Sequence, residues 1–310
     1  MNEPDHSGIW PSLPLDAWRD TYATLHMWSQ VIGKIRLARA PMLNHWWQVT
    51  LYVTARGLTT SPIPYGTRTF QIDFDFSAHR LVIETSDGEE RTFELASYTV
   101  AEFYRRVMAA MAGLGLDVKI WTHPVEVEQS IPFEQDRQHA TYDPDYANRA
   151  WRILVQTDRV LHEFRSGFLG KASPVHFFWG GFDLAMTFFS GRRAPPHPGG
   201  VPNVADRVNQ EAYSHECSSR GFWPGSGAIQ EPAFYAYAYP EPDGYKEQTV
   251  QPEQAFYSPE MGLFILRHED VRSAPDPDAA LLAFFRSTHA AAADLAGWDR
   301  SALERETSAP

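Results

Sequence analysis

Four ionisable side chains stand in one of the most aromatic stretches of the chain: His176, Asp183, Arg192 and Arg193 in SPVHFFWGGFDLAMTFFSGRR, residues 173–193. Histidine titrates near neutrality and can hold or pass a proton. A carboxylate beside it orients the imidazole and favours its charged form. Arginine presents a planar fork that matches carboxylate or phosphate. A hairpin turning at Gly180-Gly181 would bring His176 across from Asp183. Past that turn, Asp183, Ala185, Thr187 and Phe189 share one face, and Phe182, Leu184, Met186 and Phe188 the other. The second set reads as core. The first is mixed, as a pocket wall or a solvated face would be. The expectation is a His176–Asp183 contact, with one of Arg192 and Arg193 turned into a cleft and the other in a surface ion pair.

Other groups carry weaker chemistry. SHEC places His215 beside Glu216 and Cys217. Adjacent strand residues point apart, so they act together only on an irregular loop. His176, Asp183, His215 and Glu216 are thus the acid–base candidates. Cys217, the single cysteine, reads as an inert buried thiol. His45, in HWWQVTLYVTA, shares a face with Trp47, Val49 and Leu51. It reads as a hydrogen-bonded core histidine, or as a second imidazole on a shared cleft. Trp179, Trp223 and Tyr237 join His45, Arg192 and Arg193 as ligand-binding candidates. Glu134, Asp136, His139 and Asp143 form a mixed set that suits a divalent metal, although Asp143 also fits a helix cap. Asp73 and Asp75 share a strand face and could divide acid and base roles, or simply be solvated. Walker A, G-x-G-x-x-G, H-E-x-x-H, G-x-S-x-G and paired C-x-x-C motifs do not occur, so no cofactor or metal is named.

The elements that must position these residues alternate between two periods. Apolar residues at spacings of three and four predict helices over 16–38, 100–114, 143–168 and 276–297. Thr99 with Glu102 forms a capping box, and Asp143-Pro144 and Asp276-Pro277 are helix starts. Period two predicts strands in HWWQVTLYVTA, FQIDFDF, AFYAYAY and GLFILRH, and a hairpin in RLVIETSDGEERTFEL with Asp87-Gly88 as its turn. Residues 191–232 read as an irregular cover.

Both halves run helix, strands, helix. Gly33-Lys34 matches Gly170-Lys171, and His45-Trp46-Trp47 matches His176-Phe177-Phe178. The fold class expected is therefore α+β, with two related helix–antiparallel strands–helix halves, 1–135 and 136–310, packed into one compact unit by internal duplication.

GLTTSPIPYG at 57–66, the stretch 173–192 and GFWPG at 221–225 together resemble a bacterial family known as domain of unknown function 5996. The likeness covers nearly the whole chain. It implies a compact, bacterial-type soluble protein and no particular chemistry.

Composition narrows the function. The chain has 310 residues, 43% of them hydrophobic, with 10 Trp, 13 Tyr and 19 Phe, enough for a thick core and for pockets. MNEPDHSGIWPSLPL lacks the basic and apolar regions of a signal peptide, and no apolar run is long enough for a span, so the reading is cytoplasmic. The expected function is an enzyme or binding protein for a small anionic or aromatic metabolite, held between the halves. The alternative is a protein-interaction module with an exposed aromatic surface. Oligomeric state is left open. A net charge of −12 without a basic cluster argues against nucleic acid and anionic membranes. At near-physiological salt the protein should not retard DNA or RNA in a gel. Tight, salt-sensitive retardation would contradict the reading.

Overall fold

Helix α1 (Leu15–Arg39) runs through the middle of the molecule. Trp18, Leu25, Trp28, Ile32 and Ile35 form its apolar stripe, but Gln30, Gly33, Lys34 and Arg36 are buried as well. It is therefore enclosed on more than one side. The computed structural model that describes this arrangement covers residues 8–305.

Local chemistry starts the other long helices where the sequence places them. The Thr99 hydroxyl accepts from the Glu102 N–H at 3.1 Å ahead of α2 (Val100–Ala112). Asp143 accepts from the N–H groups of Asp145 and Tyr146 ahead of α3 (Pro144–Ser166). Downstream are α4 (Asp206–Ala212), α5 (His268–Arg272), α6 (Pro277–Leu295) and α7 (Arg300–Leu303). Asp276 caps α6 by accepting from the Ala279 N–H. Each such cap satisfies donors that the first turn leaves orphaned.

Two antiparallel sheets complete the α+β fold. The first contains β1 (Tyr52–Val53), β2 (Gly57–Thr59), β3 (Ile63–Tyr65), β4 (Arg68–Asp75), β5 (Arg80–Thr85) and β6 (Glu90–Glu94). Its order is β1-β2-β4-β5-β6, with β3 also paired to β4. The second contains β7 (His176–Phe178), β8 (Asp183–Arg193), β9 (His215–Trp223), β10 (Ala233–Tyr239), β11 (Phe256–Ser258) and β12 (Leu263–Arg267). Its order is β11-β12-β10-β9-β8-β7. No described helix is long and apolar enough to cross a membrane.

A narrow seam joins the sheets. Leu51 and Phe177 exchange backbone hydrogen bonds of 2.9 and 2.8 Å. Beside them the Trp179 indole donates to the Val49 carbonyl at 2.7 Å. The same indole lies against Gly33 of α1, where a Cβ would come within 2.2 Å of its nitrogen. One buried cluster then runs through both sheets and the long helices.

Three expectations need correction. HWWQVTLYVTA is not one strand: residues 44–49 form a 3-10 turn, with His45 and Trp46 at φ of 57° and 61°. Trp46 and Trp47, expected on opposite faces of a strand, line the same wall together with His45 and Val49. Residues 191–232 are not irregular throughout, because β9 lies inside the second sheet between β8 and β10. The expected internal duplication is not shown: the first sheet runs β1-β2-β4-β5-β6 with β3 off to the side of β4, whereas the second places β12 between β10 and β11. His45 on a turn and His176 on a strand are therefore not equivalent positions. Of the tail, Glu304 is held by His289 and Arg300, and residues 306–310 lie outside the described part.

The Gly33 contact gives a stability test. Alanine normally favours a helix interior over glycine by up to about 1 kcal/mol. Here its methyl would overlap the indole, so Gly33→Ala should destabilise by about 1–3 kcal/mol in urea unfolding. An unchanged or raised midpoint would contradict the packing.

Candidate functional site

One face of the second sheet floors a cavity of about 720 Å³, within the usual size for a small-molecule site. Strand alternation sends Asp183, Ala185 and Thr187 of β8, Cys217 and Ser219 of β9, and Tyr235 and Tyr237 of β10 to this floor. The amino-terminal half supplies walls from Lys34, the turn at 45–47, Trp121 and Glu126. The segment 197–213, including α4, supplies the roof through His197, Val204, Val208 and Tyr213. His45 ties the roof down by donating from Nδ1 to the Ala212 carbonyl at 2.8 Å.

The most polar feature is a pair of carboxyl groups at the Gly180-Gly181 turn. The Asp183 carboxylate accepts a short hydrogen bond from the Tyr235 hydroxyl. Glu126 rests its carboxylate on Gly180, where a Cβ would lie 2.0 Å from Oε1. Only glycine leaves that space. Helix α1 sets the position of Glu126 through Gln30, whose side-chain amide donates to the Val125 carbonyl and accepts from the Val125 N–H, both at 2.8 Å. The Glu126 N–H donates to the Pro202 carbonyl at 2.9 Å, and its backbone takes φ of 57°. His26 holds the other side of the turn by donating from Nε2 to the Gly180 carbonyl at 2.7 Å.

Electrostatics follow from this enclosure. Burial pushes the Asp183 carboxyl up to about 6. Burial, and then the charge of Asp183, push Glu126 up to about 7. Glu126 is itself an exposed residue that lines the cavity, so solvent screens part of this shift. The Asp183 charge opposes the ionisation of Glu126, so Glu126 holds a proton near neutrality. Burial pushes the phenols of Tyr213, Tyr235 and Tyr237 well up, so they remain donors. Tyr213 and Tyr237 share a hydrogen bond of 2.7 Å. Burial pushes His26 down to about 4, leaving it neutral. This arrangement can donate and accept protons beside an aromatic surface.

The structure distributes the sequence candidates unevenly. Asp183, Trp179, Trp223, Tyr237 and His45 line the cavity. His176 does not. It packs among Trp47, Tyr52 and Phe178, neither ring nitrogen has a partner, and burial pushes it down to about 3. The expected His176–Asp183 contact is absent because β7 pairs Phe178 with Asp183 and His176 with Ala185. Tyr235 fills the role expected of the imidazole. Glu216 ion-pairs with Arg192 at 2.7 Å, and His215 stands off the cavity beside Ser214. The strand geometry of β9 separates them from Cys217, whose thiol burial pushes up to about 12. Arg192 also donates to the Ala296 and Gly297 carbonyls at the end of α6, so it is the surface ion pair. Arg193 is exposed and off the cavity wall, so neither arginine turns inward.

The remaining acidic candidates have structural partners. His139 bonds Asp136 at 2.6 Å, and Asp75 pairs with Arg56 and Arg80. Among the described residues no cluster of acidic, His or Cys side chains could hold a metal ion. Sequence reasoning missed Glu126 and Tyr213, which sit in segments without periodicity. It read Lys34 as half of the Gly33-Lys34 match to Gly170-Lys171 and not as a site residue.

A raised carboxyl pKa makes a signed prediction. The folded protein holds a proton on Asp183 that the unfolded chain releases near pH 4, so this stabilisation is present at low pH and is lost as pH rises through about 6. Asp183→Asn keeps an acceptor for Tyr235 and removes the charge. Its melting temperature relative to wild type should therefore climb from about pH 4 to about pH 6 and level off above that. A difference that is flat or falling over that range would contradict the burial of this carboxyl.

No curated protein and no solved structure matches the chain. The sequence model of a family of unknown function (DUF5996) matches residues 10–305. With nearly its whole length matched, the chain belongs to this family.

Proposed function

We propose that the chain is an enzyme or binding protein for a small, largely aromatic molecule, taken into the cavity on the second sheet. The observation that carries this reading is the Asp183–Glu126 pair, which faces the cavity and holds a proton near neutral pH. A general acid or base works best when its pKa lies near the operating pH, and enzymes raise carboxyl values by burial for this purpose. Glu126 would present the proton, and Asp183, ionised and held by the Tyr235 hydroxyl, would accept or return it. Trp179, Trp223 and Tyr237 would pack the ligand's flat surface. The lone buried thiol is in keeping with a reducing cytoplasm.

The competing reading is a protein-interaction module, favoured by the 56% exposure of Trp121 at the cavity's edge. The two separate in one experiment. Wild type, Glu126→Gln and Ala185→Trp are incubated with a small-metabolite extract, and consumed and bound compounds are identified by mass spectrometry. The proposal expects a compound that wild type consumes, that Glu126→Gln binds but leaves intact, and that Ala185→Trp, with its floor filled, does not bind. Binding without consumption by wild type would make this a binding protein. Binding that survives Ala185→Trp, or no bound compound at all, would overturn the proposal.

A further inference from the structure

Lys34 is the cavity-wall group that neither the packing nor the proton chemistry uses. It is 3% exposed. Its Nζ lies 4.6 Å from the ring centre of Trp121 and 5.8 Å from that of Trp179. Gly33 seats the Trp179 indole, so the next side chain of α1 emerges beside that ring and into the cavity. Among the described residues Lys34 takes part in no ion pair or hydrogen bond; the lysine–carboxylate pair that does form is Lys246 with Glu247. No described Asp or Glu lies within ion-pair distance of this ammonium. The stem is buried while the ammonium keeps accessible surface and has no counterion, a setting that two indole faces favour only in part. The other cation on the wall, Arg207, is exposed to solvent on the roof.

We infer that Lys34 is the anchor for a ligand's carboxylate, and that the cavity takes an aromatic carboxylic acid. This rests on the small-molecule reading above and names its ligand class. A single ammonium in an apolar box matches a monoanion. A phosphate carries more charge and more acceptors than one lysine can satisfy. The ligand's ring would lie against Trp179, leaving its other end toward Asp183 and Glu126. Burial pushes Lys34 down to about 8, which leaves it charged at neutral pH, and a bound carboxylate would strengthen that charge.

The test uses 2-naphthoate and its neutral isostere 2-naphthamide, with binding read at pH 7 by quenching of tryptophan fluorescence. Wild type should bind the carboxylate about tenfold more tightly than the amide, the worth of one charge-assisted hydrogen bond. Lys34→Met should abolish that preference and leave amide binding intact, while Lys34→Arg should keep it. A measurement on wild type alone guards against a folding defect. Reductive methylation of Lys34, followed by mass spectrometry, should be slowed by 2-naphthoate and not by 2-naphthamide. Equal affinity for the two probes, a preference that survives Lys34→Met, or methylation unaffected by naphthoate would overturn the inference and leave the cavity reading standing. Failure of both probes to bind would overturn both.

Discussion

The Trp179 indole is wedged between the two halves of the chain, and the cavity depends on that wedge. Its N–H donates to Val49 in the amino-terminal half while its ring fills the slot over Gly33 of α1. The paired Leu51 and Phe177 backbones continue the same join. Because Trp179 is fixed, the Gly180-Gly181 turn that follows is fixed, and His26 secures it from α1. Asp183 then enters β8 at the cavity floor and Glu126 closes over Gly180. Gln30 clamps the segment bearing Glu126 from the same helix. One helix thus contributes Gly33 for the wedge, His26 and Gln30 for the turn, and Lys34 for the opposite wall.

The polar groups of the cavity are held at a cost to stability. Two carboxyls close together and partly desolvated are worse for folding than two apolar side chains of the same size. A lysine with a buried stem and no counterion adds to that cost. Glu126 and Phe182 flank the turn with positive φ, a strained conformation for such residues. Strain and unpaired charge gathered at one concavity are features that function retains and stability alone would remove. Several charges elsewhere are matched: Asp75 has Arg56 and Arg80, Glu304 has His289 and Arg300, and Glu216 has Arg192. Arg36 and Arg220 are the exceptions, buried cations with no carboxylate partner among the described residues.

Where local chemistry decides the outcome, the sequence is legible. Helix starts at Thr99, Asp143 and Asp276 follow from their side-chain caps, and FQIDFDF buries Phe70, Ile72, Phe74 and Phe76 as its alternation requires. The faces of β8 could be read as far as Phe189 for the same reason. Legibility fails where a tertiary partner sets the conformation. Residues 44–49 alternate like a strand, but they wrap the cavity wall and carry two left-handed residues. Strand β9, HECSSRGFW, is too polar to read as a central strand; its small Ser219 faces the cavity and its Arg220 lies between Phe164 and Phe188. Of the acid–base pair, Asp183 is visible because a charge stands out in an aromatic strand. Glu126 is invisible because only the distant Gln30 and Gly180 give it a role.

The claim beneath the functional reading is that Asp183 and Glu126 form a coupled, proton-holding pair on the cavity. Side-chain carboxyl resonances followed by carbon-13 NMR titration test it most directly, with Asp183→Asn and Glu126→Gln for assignment. The account predicts that the two carboxyls titrate near about 6 and about 7, and that removing Asp183 brings Glu126 down. Two independent titrations near the ordinary carboxylate value of about 4 would contradict it.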